Sequence, residues 1–595
     1  MQFASSPRNQ TIAISGVVIL AAALIAITSD GYTLFVLTLV PIWAMMGLSW
    51  NLLGGYLGLV SFGQAAFFGL GAFTVVILAH DYGITPWIGL PLAGLVGAAS
   101  GVLIGAITFR FRGFYFALAM LAYPLALLNI FDFAGWNEVT IPMHREQAWK
   151  FMQFADPRIL AWLALAAFGV AISVSLWIER SRFGLFLFAI RQDETAARTS
   201  GIPALRNKLK TIAISGAMAG IAGGLYALLL LVVTPVAVFG MLVSAQALIV
   251  AMFGGRGTAW GAAIGAAMLI PVSEFLHGHF GATLPGIAGV VFGLAIILVV
   301  LLLPNGIYWA FADLYQKRFA RPHDKIAPTS TARAPAPLLF SSGVATSVTA
   351  ENCLTVSDIR VAFGGVQALQ GVSFNIYRAE ILGIIGPNGA GKTTLFNVLS
   401  GLIPPQTGSA ILDGSQALVG RVPEDICAMG VGRTFQTVRV FNRLTLLENV
   451  ATGAFVKSAT DKAALAKAWN ALEQVGIKDR AMTMGAELDN RELRLMEIAR
   501  ALASEPKLIL LDECLAGLSS EDIDQLITVL RKVRNDGVTL AIIEHTMDAM
   551  KKLADRLVVM NYGKVLASGP PVEVLRNPEV ISAYLGKRWA QHAQN

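Results

Sequence analysis

The sequence predicts two fused units: a polytopic α-helical membrane domain of about ten spans, then an α/β P-loop domain. Three observations carry this. Hydrophobic residues make up 55% of the 595 positions and charged residues only 14%, whereas soluble domains average about a quarter charged. The apolar excess is confined to residues 11–304, while 351–595 reads like a water-soluble chain. A strand–Gly-rich loop–helix pattern stands at 381–394. The length alone asks for more than one domain. We place a membrane domain at 1–310, a flexible linker at 311–350 and the α/β domain at 351–595.

Spans are expected at 11–29, 33–53, 59–79, 84–108, 113–131, 159–178, 211–233, 240–254, 258–276 and 283–304. About 20 apolar residues cross a bilayer core at 1.5 Å rise each. The span interiors are read as free of Asp, Glu, Lys and Arg, so no buried charge marks an ion path. The eighth span is short and ends at Gly254-Gly255, which reads as a re-entrant or broken helix. No cleavable signal peptide is expected, because the apolar run from Thr11 is long enough to span and lacks a clear small-residue cleavage site. Gly69, Gly71, Gly216, Gly220, Gly223, Gly224, Gly261 and Gly265 stud the spans and let helices approach closely.

The basic residues set the orientation. Segment 179–210 holds seven of them: Arg180, Arg182, Arg191, Arg198, Arg206, Lys208 and Lys210. With ten spans and Arg8 inside, these fall on the cytoplasmic face with Arg110, Arg112, Arg256, Lys317, Arg318 and Arg321. The long loop 132–158 then lies outside, and the α/β domain lies where ATP is found. The net charge of +7 is assigned to those loops, not to nucleic-acid binding. Cys353, Cys427 and Cys514 are far apart, without metal-ligand spacing, and read as packing residues in a reducing compartment. Residues 322–350, rich in Pro, Ala, Ser and Thr, read as a tether.

In the second domain an apolar strand, Ile381–Ile385, runs into Gly386-Pro387-Asn388-Gly389-Ala390-Gly391-Lys392-Thr393-Thr394 and then a helix. This is a P-loop. Its glycines let backbone N–H groups wrap nucleotide phosphates, and the helix N-terminus adds positive field. Lys392 is expected to reach the β- and γ-phosphates and Thr393 to offer a hydroxyl to Mg2+. A P-loop alone does not separate an ATPase from a kinase or GTPase. Leu508–Leu511 is a buried-strand run ending in Asp512 and Glu513. Asp512 suits a Mg2+ shell, and Glu513 suits a base that polarises attacking water. Gln436 lies between these motifs, and His545 ends a further apolar strand at a spacing that fits a γ-phosphate contact.

That ordered set resembles an ABC transporter ATPase. FGGVQALQGVSF, GRTFQTVRVFNRLTLLENV and IIEHTMDAM are similar to the ATPases of bacterial high-affinity branched-chain amino-acid importers. In the membrane half, LLGGYLGLVSFGQAAFFGLGAF, RGFYFAL, SRFGLFLFAIRQDETAARTSGI and FGGRGTAWGAAIGAA are similar to the M-type permease of those systems. The resemblance covers most of 50–305 and 351–585. It implies ATP and Mg2+ as cofactors, Phe363 stacking on adenine, and Gln436 acting at the Mg2+ and γ-phosphate alongside Glu513 and His545. It implies a second permease subunit, a second ABC ATPase subunit and an extracytoplasmic solute-binding protein as partners. The place would be the bacterial cytoplasmic (inner) membrane, multi-pass, with no nucleic acid. Urea or short-chain amide import, and an ATP-driven complex that signals without moving solute, stay open as alternatives.

One stretch departs from the resemblance. Such ATPases carry a Leu-Ser-Gly-Gly-Gln-like signature, but here it reads Leu488-Asp489-Asn490-Arg491-Glu492. Asp489 stands for the serine and Arg491 for a glycine, while Cys514 stands where proline is usual. A heteromeric assembly with one degenerate ATP site is therefore expected. Segment Ala189–Ala197 is expected to form a short helix that docks on an ATPase domain near 436–449.

Overall fold

The computed structural model describes residues 7–111, 113–280, scattered positions from 286 to 314, and 351–585. Most of the tenth span, the tether, Arg112, Lys317, Arg318 and Arg321 lie outside the described residues. Among the described residues there are two compact units. The first runs to Arg191 and resumes at Leu205; the second joins Gln192–Ala204 to residues 351–585.

In the first unit the helices are α1 (Pro7–Ile27), α2 (Gly31–Asn51), α3 (Gln64–His80), α4 (Pro86–Thr108), α5 (Phe114–Phe133), α6 (Pro157–Arg180), α7 (Arg182–Gln192), α9 (Ala204–Leu230), α10 (Pro235–Phe239), α11 (Met241–Gly254) and α12 (Ala259–Phe280), with α8 (Glu194–Thr199) in the second unit. Polar residues start several of them: Asp30, Thr85 and Asp156 each accept from a backbone N–H of the first turn of α2, α4 and α6. Seven helical stretches among the described residues are long and apolar enough to cross a bilayer, while Val18–Ile27 and Gln64–His80 are apolar but shorter. Each expected span up to 276 contains a helix, although 28–29, 59–63, 84–85 and 231–233 within those spans are not helical. The eighth expected span is itself one helix, α11, and the break falls at its leading edge, Gly240, where the short α10 precedes it. A break not foreseen ends α2 in a π-helical turn, Leu52–Tyr56, before irregular backbone leads to α3.

One carboxylate corrects the reading of uncharged spans, and a second lies just beyond a span. Glu274 lies inside α12, where its backbone carbonyl accepts from the Tyr32 hydroxyl at 2.7 Å. Glu179 extends α6 past the sixth span and accepts from the Tyr56 hydroxyl at 2.6 Å and the Ala259 N–H at 2.7 Å. The glycines pack backbone against backbone. A Cβ on Gly71 would sit 2.1 Å from the Gly220 carbonyl oxygen, and one on Gly223 would sit 1.9 Å from that of Phe68. Short strands β1 (Val139–Thr140) and β2 (Val232–Val233) pair antiparallel and pin the loop 132–158 to the end of α9.

The second unit has two sheets. Strands β3 (Asn352–Phe363), β4 (Val366–Tyr377), β6 (Thr407–Leu412) and β7 (Gln416–Ala417) form an antiparallel sheet in the order β4-β3-β6-β7. The other runs β12-β11-β5-β10-β9-β8, from β5 (Ile381–Ile385), β8 (Val431–Arg433), β9 (Leu508–Asp512), β10 (Thr539–Ile543), β11 (Arg556–Asn561) and β12 (Lys564–Gly569). All but β12 are parallel. Strands β5, β9 and β10 are buried at every residue, as continuous apolar runs in a covered parallel sheet should be. The helices around the sheets are α13 (Lys392–Leu399), α14 (Pro423–Met429), α15 (Leu446–Ala454), α16 (Asp461–Gln474), α17 (Asn490–Leu502), α18 (Ser520–Asn535), α19 (Met547–Leu553), α20 (Pro571–Val574) and α21 (Pro578–Leu585).

Candidate functional site

The sheet order decides where the motifs meet. Strands β5, β10, β9 and β8 are parallel neighbours, so the segments after their C-terminal ends emerge along one edge. Those segments hold Gly386–Lys392, Glu544-His545, Asp512-Glu513 and Thr434–Gln436. Ligands in open α/β sheets bind at that edge.

The loop after β5 needs its glycines for conformation and for space. Gly386, Gly389 and Gly391 have φ of 155°, 81° and 96°. A Cβ on Gly386 would lie 2.1 Å from the Met560 carbonyl oxygen, and one on Gly391 would lie 2.5 Å from that of Ala368. Pro387 is partly buried, Asn388 and Gly389 are exposed, and Ala390 is buried. Lys392 opens α13 and folds back on its own loop, donating to the carbonyls of Gly386 (2.7 Å) and Pro387 (3.0 Å). Burial pushes its ammonium pKa down, against the pull of Glu513 and Asp512. Thr393 is exposed on the first turn, with Thr394 partly buried beside it.

Glu513 is gripped from two sides. Gln436 Nε2 donates to its Oε2 at 2.8 Å, and His545 Nε2 lies 2.6 Å from its Oε1. Its backbone is left-handed, at φ 49°, and its N–H donates to the Ile543 carbonyl at 2.9 Å. Asp512 is buried at the end of β9, and its Oδ1 has no hydrogen-bond partner among the described residues. Desolvation raises its pKa, opposed by Arg433, which is 3.7 Å away. The unsatisfied Asp512 carboxylate oxygen, the exposed Thr393 hydroxyl and the Gln436 amide oxygen, carried by segments at the same sheet edge, offer only oxygen donors. That suits a hard divalent cation such as Mg2+. Phe363 ends β3 with its ring half-exposed, open to stacking.

Several residues were not singled out from sequence. Arg433 donates to Asn397 Oδ1 at 2.7 Å and to the Ser400 hydroxyl, tying α13 to the Asp512 strand end. Burial holds its pKa down to about 10. From α17, Arg494 donates to the carbonyls of Phe435 (3.1 Å) and Gln436 (2.9 Å), fixing the segment that carries Gln436. Glu497 accepts from the Arg439 N–H at 3.0 Å, and Arg500 donates to the Arg439 carbonyl at 2.8 Å. The signal was present as Arg494, Glu497 and Arg500, three charged residues spaced by three on one helix face. Glu544 accepts from the Leu515 N–H at 2.7 Å, holding the turn behind Glu513.

Within this unit α8 is helical, with Asp193 as its N-cap. Arg439 Nη1 donates to both Asp193 carboxylate oxygens at 2.8 Å, and Arg198 donates to Glu424 at 3.0 Å. The expected contact near 436–449 is present and extends to α14. The expected continuous helix over 189–197 is interrupted at Asp193.

At the altered signature, Asp489 caps α17. Its side chain accepts from the Glu492 N–H at 2.7 Å, and Glu492 accepts in return from the Asp489 N–H at 3.1 Å. Arg491 turns to Asp522 at 3.6 Å.

Residues 32–301 match the family model for the permease component of the branched-chain amino acid transport system. Residues 369–516 match that for ABC transporters, and 564–590 that for the branched-chain amino acid ATP-binding cassette transporter. The ATP-binding protein LivG of Escherichia coli K12, named for high-affinity branched-chain amino acid transport, is 39% identical over 254 residues, which span 39% of this chain and 98% of LivG. The chain belongs to the branched-chain amino-acid ABC transporter family. BraF of Pseudomonas aeruginosa, another high-affinity branched-chain amino acid transport ATP-binding protein, is 36% identical over 252 residues, 39% of this chain and 98% of BraF. Among solved structures, the ADP conformation of MJ1267, an ATP-binding cassette of an ABC transporter, is 30% identical with a TM-score of 0.37, covering 40% of this chain and 100% of that one. This family member is a multi-pass membrane protein that joins a permease to an ATP-binding cassette, and it couples ATP hydrolysis to transport.

Proposed function

We propose that this chain is the fused permease and ATP-binding subunit of an importer that takes up branched-chain amino acids across the bacterial inner membrane. Similarity to LivG and BraF, both named for high-affinity branched-chain amino acid transport, supports the solute class. Residues 1–310 serve as permease, 311–350 as tether and 351–595 as cassette. The observation that carries the hydrolytic reading is Glu513 held between Gln436 and His545 at the sheet edge that also carries Lys392.

Backbone N–H groups of Gly386 to Thr394 would cradle the phosphates, with Lys392 released from its loop carbonyls to the β- and γ-oxygens. Thr393, Gln436 and Asp512 would hold Mg2+, which when bound neutralises charge on those oxygens. Glu513 orients and deprotonates the attacking water. His545 and Gln436 position Glu513 and contact the γ-phosphate. Phe363 stacks on adenine. A second permease, a second cassette and an extracytoplasmic solute-binding protein complete the assembly.

The experiment is reconstitution of the complex in liposomes with its solute-binding protein. Leucine, isoleucine or valine should stimulate ATPase activity and accumulate in the vesicles. Stimulation by urea or short amides alone would move the solute class to the neighbouring reading. ATPase activity indifferent to every solute would point to a complex that does not transport.

A further inference from the structure

We propose that Gln64, at the buried start of α3, is a solute-contacting residue of the permease that accepts a hydrogen bond from an N–H donor, the ammonium group of the amino acid carried. This deepens the uptake reading and rests on it.

Gln64 is fully buried, and its Oε1 has no hydrogen-bond partner among the described residues. The orientation of the amide follows from its neighbours. Ser215 Oγ donates to the Ser49 carbonyl at 2.8 Å, so its proton is used. The Gln64 atom facing it at 3.2 Å must therefore be the donor Nε2, which leaves the acceptor Oε1 unmet. The rest of the cluster is satisfied. Ser49 Oγ donates to the Ser215 carbonyl at 2.8 Å, Ser244 Oγ accepts from the Ala65 N–H at 2.9 Å, and Ser61 Oγ accepts from the Gly63 N–H at 3.2 Å. One serine, Ser215 of α9, thus meets the amide Nε2, while Ser49, Ser61 and Ser244 spend their hydroxyls on Ser215 and on the backbone next to Gln64, leaving its acceptor open.

The place matters as much as the atom. With 17 residues, α3 is about 25 Å long, short of the ~30 Å hydrocarbon core. Its far end is the exposed His80–Asp81 pair, so its first turn begins inside the apolar layer. There no water relieves an unmet acceptor, and irregular backbone persists only where protein covers it or it lines a path. Helix glue accounts for polar groups that meet across helices, as Ser49 and Ser215 do. It does not account for an acceptor with no partner. An amide oxygen without charge takes a cationic N–H and lets it go again, as a transit site requires. The amide is enclosed in this conformation, so solute reaches it only when the surrounding helices part.

Two variants of the full complex test this in proteoliposomes with the solute-binding protein. Gln64→Leu should lower leucine uptake at least tenfold while basal ATPase activity stays within twofold of the unmodified complex. Gln64→Cys should react with a small hydrophilic thiol reagent in one nucleotide state and not the other. Leucine should slow that reaction and 4-methylpentanoate, which lacks the amine, should not. The native Cys353, Cys427 and Cys514 are buried, which keeps the background low. Wild-type uptake by Gln64→Leu, or absence of labelling of Gln64→Cys in every state, overturns the proposal. So does loss of basal ATPase and thermal stability in step with uptake, which marks a packing role. Failure of the unmodified complex to carry leucine overturns the uptake reading instead, and is seen before any variant is made.

Discussion

Glu513 is the residue on which turnover should depend most. Its two oxygens are committed to His545 and Gln436, so the carboxylate is aimed before substrate arrives. Glu513→Gln keeps the shape and removes the base. ATP turnover of the complex should fall at least about 100-fold, in line with loss of a positioned general base, while nucleotide binding persists; phosphate release and equilibrium binding measure the two separately. Cys427 supplies a pH test. Burial pushes its thiol up to about 11, which leaves roughly one thiolate in a thousand at pH 8. Alkylation of the folded chain at Cys427 should be negligible at pH 8 and rise as pH approaches 11, because only the deprotonated form reacts. Rapid alkylation at pH 8, followed by peptide mass mapping, would contradict the burial. Arg500 and Glu497 pair with side chains only 4% and 1% exposed. Arg500→Leu strands Glu497 and should cost about 3–5 kcal/mol of cassette stability, read from denaturant unfolding.

At the scale of elements, α17 is the informative one. Its N-terminus is occupied by its own Asp489–Glu492 capping box, and Arg491 is drawn towards α18. A carboxylate in that position repels phosphate oxygens where screening is poor. Asp489→Ala should therefore cost about 1 kcal/mol in stability, yet change turnover far less than Glu513→Gln does. Equal losses in the two variants would refute a degenerate signature serving one slow site. Segment α8 belongs to the same argument. Arg439 joins Asp193 to Glu497 of α17 through one side chain and one backbone N–H. Arg439→Ala should leave basal hydrolysis in place and blunt its stimulation by solute, measured as the ratio of the two rates.

For the whole molecule, the two units rely on different physics. The first is held by close backbone approach at glycine. Gly223→Leu would force a side chain to within 1.9 Å of the Phe68 carbonyl oxygen. The detergent-extracted chain should then lose its monodisperse elution, while its cassette still binds nucleotide. Loss of both together would tie the units more tightly than their separate cores require. The cassette is held by a parallel sheet whose strands are buried at every residue.

The sequence by itself marked out the apolar half, the water-soluble half and the residues proposed to handle the nucleotide. These are local signals: run length, apolar character and a P-loop whose glycines stand where φ must be positive. It also exposed the altered signature, because Asp489 and Arg491 differ from a short pattern. Only the tertiary structure decided the rest. Gln436, Glu513 and His545 are 77 and 32 residues apart in sequence, and no local pattern brings them together; the strand order β5-β10-β9-β8 does. The breaks at Tyr56, Asp193 and Gly240 depend on what the neighbouring helices leave room for. The open acceptor of Gln64 follows from its burial and from Ser215 of α9 taking its Nε2. Hydrogen-bond satisfaction of a buried group is set by what packs against it, and that is written in the fold, not in the residue or its neighbours in the chain.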